Sequence, residues 1–462
     1  MPNPKLKSPG LAMMAVAVSM LSGCAKVDPQ PDFARAHKLI EASTGLPSGA
    51  IPAPAEADVK SILADGLTLD EALRLALVNN RQLQGQFMTI GVAKADLTQA
   101  GLLANPSLSL LFLFPTGGGR PDIQGTIAQN ISDLWQLPNH KRIARADLDQ
   151  AILKVSRAAG ELVADTRDAY FDTVAARDSV AVARESVALS RKSLDSVRAQ
   201  VEAGLASRVD QNLAEGQAIS AELSQKRAER DALAAARRLA SLLSVEQDLA
   251  DVPLRDALPH PELPEVDRET LVKRARDSRL DLKAAGAAMR AAEHKLGAER
   301  GKWFAPLSIG GEVERPEDRT ADTLVGPSIA LDAPIFDQNQ AQVAKARFTY
   351  LQQRKAYEDL FLRLAQEVRS AADKARTSVG AATFIRDELL PQAERSVQLA
   401  QKAYELGDTA VLTLLEAQRT VLQARQGYID ARVEAIKAVS GLERTAGVPL
   451  EELGAAKAAL GP

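Results

Sequence analysis

From Asn139 to Glu202 the chain contains no proline and a single glycine, Gly160, in a background of Ala, Leu, Val, Arg and Asp. Nothing in that stretch stops a helix, and at 1.5 Å per residue it predicts one helix of about 90 Å. A second uninterrupted helical pattern follows Gly204 and continues to about Leu243. Helices this long cannot cover their own apolar seams, so they must pair as coiled coils or assemble with other chains. The alanine-rich seams favour close antiparallel packing.

The pattern occurs twice. Asn139, Ala144 and Ala146 recur as Asn339, Ala344 and Ala346, and Asn105-Pro106 corresponds in position to Ala305-Pro306. Farther on, Ala203-Gly204 recurs as Leu406-Gly407, and Leu213-Ala214-Glu215-Gly216-Gln217 as Leu414-Leu415-Glu416-Ala417-Gln418. One order of landmarks in both halves, offset by roughly 200 residues, predicts an internal duplication. Each half reads as helix, strand pair, very long helix, turn and second long helix. Opening helices are expected from Leu69 to about Leu103 and from Glu269 to about Trp303. The long helices of the second half are expected from Asn339 to Glu405, kinked at Pro391, and from Thr409 to about Leu442.

Between the opening and long helices the hydrophobic period changes from 3.6 to 2. Ile123, Ile127 and Ile131 fall on one face of a strand, with Gln124, Thr126 and Asn130 on the other. Leu307, Ile309 and Val313 oppose Ser308, Glu312 and Glu314 in the same way, and Val325, Ile329 and Leu331 oppose Ser328 and Asp332. Leu108 to Phe114 alternates less cleanly, because Leu111 and Leu113 place apolar groups on the second face. Gly117-Gly118-Gly119-Arg120-Pro121 and Arg315-Pro316-Glu317-Asp318-Arg319 read as polar hairpin tips. Strands of this length, apolar on one side only, suit a membrane barrel with a polar lumen. Four strands cannot close a barrel, and open sheet edges are not tolerated in hydrocarbon, so several copies must contribute to one.

Composition excludes other classes. The 462 residues carry 57 basic and 60 acidic side chains and are 46% hydrophobic, enough for a large core but without the basic excess of a nucleic-acid binder. His37, His140, His260 and His294 are scattered without metal-ligand spacing, and there is no glycine-rich phosphate loop. Neither an enzyme nor a cofactor or metal site is expected.

The first residues set the destination. Lys5 and Lys7 precede an apolar stretch from Leu11 to Leu21 that is too short to span a bilayer, and Leu21-Ser22-Gly23-Cys24 comes directly after it. This resembles a bacterial lipoprotein signal, in which Cys24 is lipidated and becomes the first residue of the mature chain. In lipoproteins Ala25, where an aspartate is absent, favours passage to the outer membrane. Cys24 is the only cysteine, so its acylation leaves no thiol for a disulfide or metal. No later run of 18 apolar residues occurs, so membrane crossing is left to strands.

Taken together these residues resemble the TolC-like outer-membrane efflux proteins, and the resemblance covers essentially the whole mature chain. Its most specific piece is Ala403-Tyr404-Glu405-Leu406-Gly407-Asp408 followed by Leu414-Leu415-Glu416-Ala417-Gln418-Arg419, similar to the family's tyrosine-x-x-glycine turn and following helix. The resemblance implies a mainly α chain with a membrane β-barrel. Long antiparallel coiled-coil helices would form an α-barrel, and four strands per chain would build a twelve-stranded barrel in a homotrimer. The implied divisions are a signal peptide at 1–23, an extended or equatorial segment at 24–66, a first repeat at 67–244 with its hairpin at 106–132, and an equatorial linker at 245–266. A second repeat at 267–446, with its hairpin at 306–333, and a tail at 447–462 complete it.

The implied function is passive conduction of substrates delivered by an inner-membrane pump, of RND type, and a periplasmic adaptor. Gly204, Leu205 and Gly407 match the adaptor-contacting turns, and Asp210, Glu416, Tyr404 and Asp408 match the periplasmic gate. Thr413 and Thr409 replace charged gate residues, which leaves the closing salt bridges unassigned. Leu390-Pro391-Gln392-Ala393-Glu394 resembles the branch serving heavy-metal efflux, yet the chain is poor in Cys, His and Met, so metals, drugs and solvents all stay open as cargo. The competing expectation is a periplasmic coiled-coil lipoprotein without a pore, which has no need of lipid-facing Ile123, Ile127, Ile309 and Ile329.

Overall fold

The computed structural model describes residues 25–46, 59, 62–260, 262–264, 267–303, 307–316, 318, 320–332 and 334–449. Cys24 with its preceding segment, Ala305-Pro306 and most of the 447–462 tail lie outside them. Helix α1 (Gln30–Thr44) comes first, then α2 (Leu69–Asn79) and α3 (Arg81–Gln99). Strands β1 (Ser107–Leu113) and β2 (Asp122–Asn130) are next, then α4 (Asp133–Glu202) and α5 (Arg208–Leu243). The order continues with α6 (Arg268–Ser278), α7 (Leu280–Arg300), β3 (Leu307–Arg315) and β4 (Leu324–Leu331). The last elements are α8 (Gln340–Phe384), a π-helical turn (Ile385–Leu389), α9 (Leu390–Glu405) and α10 (Val411–Ala446). The protein is therefore mainly helical with one small antiparallel sheet. No described helix is long and apolar enough to cross a membrane.

The chain divides into two compact units: one from residues 1–33, 89–151 and 287–353, which holds the sheet, and one from 34–88, 152–286 and 354–462, which is helical. In the sheet unit the strands pair in the order β1-β2-β3-β4, all antiparallel. Register decides what each face carries, because side chains alternate across the pleat. Leu108 pairs with Ile127 and Leu110 with Gly125; Gly125 in turn pairs with Val313, and Val313 with Val325. Ile309 stands opposite Ile329 on the same face. The other face carries Ser109, Thr126 and Glu312 in one row and Gln124 and Glu314 in the next. The one-sided alternation of β2, β3 and β4 thus becomes one apolar and one polar sheet face. Leu111, Leu113 and Leu324 are the large apolar exceptions on the polar side. Leu108, Val325 and Ile329 are each more than 70% exposed.

Three expectations need correction. Each opening helix is two helices. Asn80 leaves the helical region (φ −62°, ψ 113°) and its Oδ1 accepts from the Leu83 amide at 2.9 Å, starting α3 afresh. The Asn79 and Asn80 side-chain amides donate to the carbonyls of Leu243 and Leu242, each at 2.8 Å, so the break also satisfies orphan acceptors at the end of α5. Arg279 breaks the second opening helix similarly, with its guanidinium on Asp281 and Glu367. The first long helix begins at Asp133, before Pro138 rather than after it. The third correction lies at Pro391. In place of a simple proline kink the chain makes the π turn Ile385–Leu389 and restarts as α9 with proline in its first turn. A wider turn accommodates a ring that would otherwise meet the carbonyl four residues back, that of Asp387.

The helical unit is built around Tyr170, which is fully buried among Leu67, Leu239, Leu243 and Leu249. Its hydroxyl donates to the Leu67 carbonyl at 2.9 Å and meets Asp256 Oδ2 at 3.0 Å, while Asp256 accepts from the Leu69 amide at 2.6 Å. Leu67 also forms a parallel bridge with Leu254. Arg177 adds three bonds to the carbonyls of Leu249, Ala250 and Val252. A proline-interrupted linker that has no helical bonds of its own is thereby held by side chains of α4.

Gly310 sits on the polar face of β3, where a Cβ would run into the Ile127 carbonyl oxygen and Ser328 Oγ; at Gly326, on the same face of β4, it would meet nothing. Gly310→Ala is expected to cost about 1–3 kcal/mol by overpacking, and Gly326→Ala well under 1 kcal/mol. Thermal unfolding of the detergent-solubilised protein checks this, and equal loss in both variants would refute the assigned register.

Candidate functional site

The two turns between long helices, Ala203–Ser207 and Leu406–Ala410, lie in the helical unit and are brought together by packing. Leu194 and Val197 of α4, Ala214 of α5, and Val411 and Leu415 of α10 form one buried cluster, with Tyr404 of α9 against it. Gly204 (φ +72°) and Gly407 (φ +79°) supply the left-handed residue of each turn. The Leu205 amide reaches back to the Gln200 carbonyl at 2.8 Å, and that of Asp408 to Ala403 at 2.9 Å. A Cβ at either glycine would touch nothing, so the demand is for conformation alone. Leu205 and Leu406 project at 80% and 76% exposure.

The helices leaving the two turns start in different ways. Ser207 caps α5 in a reciprocal capping box: its Oγ accepts from the Asp210 amide, and the Asp210 carboxylate accepts from the Ser207 amide at 3.0 Å and hydroxyl at 2.7 Å. These hydrogen bonds hold the Asp210 carboxyl below its ordinary range. Asp210 thus has a helix-starting task that its sequence position alone did not reveal, although the Ser-x-x-Asp spacing is its signature. α10 begins at Ala410 with no side-chain cap. Asp408 is exposed beside it, and Glu416 lies on an exposed face 3.9 Å from Arg419. The Tyr404 hydroxyl is enclosed without a hydrogen-bond partner among the described residues. Tyr404 and Gly407 therefore share a turn, while Asp210 and Glu416 each serve their own helix.

Above the turns, α4 and α10 run antiparallel and are joined by polar contacts that sequence reading missed. From the turns upward, the Ser193 hydroxyl donates to Gln418 at 3.2 Å, Arg425 grips both oxygens of Glu185 at 2.7 Å, and Gln426 donates to Ser179 at 2.9 Å. Lys437 then meets Asp172 at 2.6 Å and Arg167 meets Glu443 at 2.5 Å. Half-exposed ion pairs contribute at most about 1 kcal/mol each. Their order adds to the register: sliding α10 one heptad one way would set Gln418 opposite Glu185 and Asp430 opposite Asp172, although a slide the other way would bring Arg432 and Arg444 to those carboxylates.

One carboxylate on this seam is surplus. Lys437 is engaged by Asp172, and neighbouring Asp168 keeps an enclosed Oδ1 with no donor among the described residues. Burial is the main cause that pushes Asp168 up to about 6, against the pull of Lys437 and with repulsion from Asp172 and Asp165. On the same side, α4, α5 and α10 line a groove of about 960 Å³. Small α4 residues, among them Ala175, Ser179 and Ala183, form part of its lining, and Arg227, Asp231 and Glu434 are charged groups within it. The signal for this groove was present in the sequence as small residues at helical spacing. No group of three His, Cys, Asp or Glu able to hold a metal occurs among the described residues.

The family model for outer membrane efflux proteins matches residues 72–245 and 271–448. Among curated proteins, the cobalt-zinc-cadmium resistance protein CzcC of Cupriavidus metallidurans is 26% identical over 395 residues, covering 83% of this chain and 91% of CzcC. Among solved structures, the CmeC outer membrane channel of Campylobacter jejuni superposes with a TM-score of 0.71 at 16% identity, over 96% of this chain and 94% of CmeC. The open-state MtrE channel of Neisseria gonorrhoeae gives 0.69 at 19%, over 83% and 89%.

Because its folded-state value is raised, Asp168 takes up a proton on folding, so its unfavourable contribution is absent below about pH 4 and develops fully as pH rises past 6. Asp168→Asn is expected to raise stability at pH 7.5 by about 1–2 kcal/mol, a value discounted for the solvent the site still reaches, and to flatten the pH dependence between 4 and 7. Denaturant melts across that range check it. At the turns, Ser207→Ala is expected to cost about 1 kcal/mol locally and Ala410→Ser to gain a similar amount. Hydrogen exchange of peptides covering 207–213 and 410–416 reads both changes.

Proposed function

The chain belongs to the outer membrane efflux protein family, and from that premise we propose that it is the exit duct of a tripartite efflux assembly. Substrate handed over by an inner-membrane pump of RND type and a periplasmic adaptor would leave passively through a water-filled channel, with no chemistry at this chain. The observation that carries the reading is the sheet: one apolar face, one polar face, and outer edges of β1 and β4 with no partner strand among the described residues. In hydrocarbon such edges must be paired, and a homotrimer would pair them in one twelve-stranded barrel with Ser109, Thr126 and Glu312 towards the lumen. An α-barrel from the long helices would continue the duct into the periplasm. Lipid on Cys24 would add an anchor in the same membrane.

The recurrence of broken opening helix, strand pair and long helical hairpin supports an internal two-fold duplication, divided as 67–244 and 267–446. The segments 24–66, 245–266 and 447–462 would belong to an equatorial region. Gly204, Leu205 and Gly407 would meet the adaptor at the periplasmic end, whose hairpins would lie in grooves such as that between α4, α5 and α10. Asp210, Glu416, Tyr404 and Asp408 would surround the entrance, where a ring of carboxylates favours cations. For Asp210 this role would be additional to its capping task. With Thr409 in the turn and Thr413 in the first turn of α10, the salt bridges of closure stay unassigned. The name of CzcC makes divalent metal ions the first cargo to try.

A photo-crosslinking residue in place of Leu205 or Leu406, used in living cells with mass-spectrometric identification, is expected to capture a periplasmic adaptor. Capture of peptidoglycan-bound structural proteins from both positions, with no adaptor, would sink the duct reading in favour of a scaffold.

A further inference from the structure

The ends of α1 and α10, the break between α6 and α7, and one face each of α4 and α8 enclose a cleft of about 850 Å³ in the helical unit. Its volume is that of a small-molecule site. It shares no lining residue with the groove between α4, α5 and α10. α4 contributes Arg157, Gly160, Ala164 and Arg167, which are three or four residues apart and so lie on one helical face. α8 contributes Arg363, Gln366, Ser370 and Lys374 in the same way. Each face therefore has a cation at either end, about 15 Å apart along the helix.

The carboxylates of the wall are all engaged. Asp281 meets Arg157 at 3.2 Å and also Arg279, Glu367 meets Arg279 at 2.7 Å, Glu161 meets Arg157 at 2.8 Å, and Glu443 meets Arg167 at 2.5 Å. Arg363 and Lys374 take partners off the wall, Asp359 and Glu434, in exposed pairs that water screens. Arg444 is exposed and enters none of these pairs. The wall thus carries six cations against four carboxylates, and a cleft between helices concentrates such an excess. Arginine forks suit carboxylate and phosphate groups. Ser278, Ser370, Ser440 and Gln366 add hydroxyl and amide groups, and no aromatic side chain lines the cleft among the described residues.

Gly160 points the same way. It is the sole glycine of α4, and its backbone is not left-handed. A Cβ there would come no closer to another residue than 3.9 Å, at Ser43 Oγ. Alanine would fit and would favour the helix, so neither conformation nor packing within the chain calls for glycine. What Gly160 preserves is open volume on the wall between Arg157 and Arg167.

We propose that this cleft binds an anionic, hydroxyl-bearing small molecule, a hydroxycarboxylate or a sugar phosphate, whose charged groups pair with Arg363, Lys374 and Arg444 and whose body lies against Gly160. The site is built wholly within the helical unit and stands independently of the duct reading.

Calorimetric titration of the full-length, detergent-solubilised protein with citrate and with glucose 6-phosphate, at constant ionic strength and with glucose as the neutral control, tests the site. Saturable binding of at least one anion, and none of glucose, is expected; preference for citrate marks a carboxylate site and preference for glucose 6-phosphate a phosphate site. Arg363→Gln combined with Arg444→Gln should weaken that binding about tenfold or more, with thermal unfolding showing that the variant is folded. Gly160→Ala should melt higher than the parent without ligand and bind the same anion severalfold more weakly. Binding of neither anion would overturn the site, and so would undiminished binding by the double variant, which marks diffuse attraction to the surface. A Gly160→Ala protein that melts lower, or that binds the anion as tightly as the parent, would overturn the place of Gly160 in it.

Discussion

The antiparallel contact between α4 and α10 governs the rest of the helical unit. Across it, Val411 and Leu415 of α10 share a buried cluster with Leu194 and Val197 of α4, and Ile429 and Ile436 share another with Tyr170 and Val174. This apolar packing supplies the attraction and, through the shapes of those branched side chains, part of the register. The polar contacts from Ser193–Gln418 to Arg167–Glu443 add to the same register. That register brings Val197 to Val411 and Leu415, and so places the two glycine turns side by side. A slip of one heptad would separate them by about 10 Å.

A different constraint rules the sheet. Each strand is short, the outer β1 and β4 are exposed and the inner β2 and β3 half-buried, and the pleat alone separates Leu110, Val313 and Ile329 from Thr126, Gln124 and Glu312. In water such a face would be a liability, whereas beside lipid it is the ordinary state of a membrane strand. Gly310 shows how closely β2 and β3 approach.

Much of this was legible in the residues. Proline-free runs identified the long helices, alternation identified β2 to β4, and the glycines at 204 and 407 identified the turns. The misreadings have specific causes. Asn80 and Arg279 are ordinary helix residues by propensity, and only their partners, the carbonyls of Leu242 and Leu243 and the carboxylates of Asp281 and Glu367, make a break favourable. The first long helix was read only from Asn139 because Pro138 ended the proline-free run, whereas proline is tolerated near a helix start and the helix begins at Asp133. Asp210 was matched to the gate by resemblance, and its Ser-x-x-Asp spacing also carries a capping function that went unread.

The sequence by itself determined the element types, their doubled order, the turns and the one-sidedness of the strands, because each depends on neighbours within a few residues. Tertiary structure decided which helix pairs with which and in what register. It also decided that Asp168 is left without a donor, that a groove opens between α4, α5 and α10, and that the four strands form one sheet. Those outcomes depend on contacts between residues more than a hundred positions apart, whose partners are chosen by three-dimensional packing and charge order rather than by local pattern.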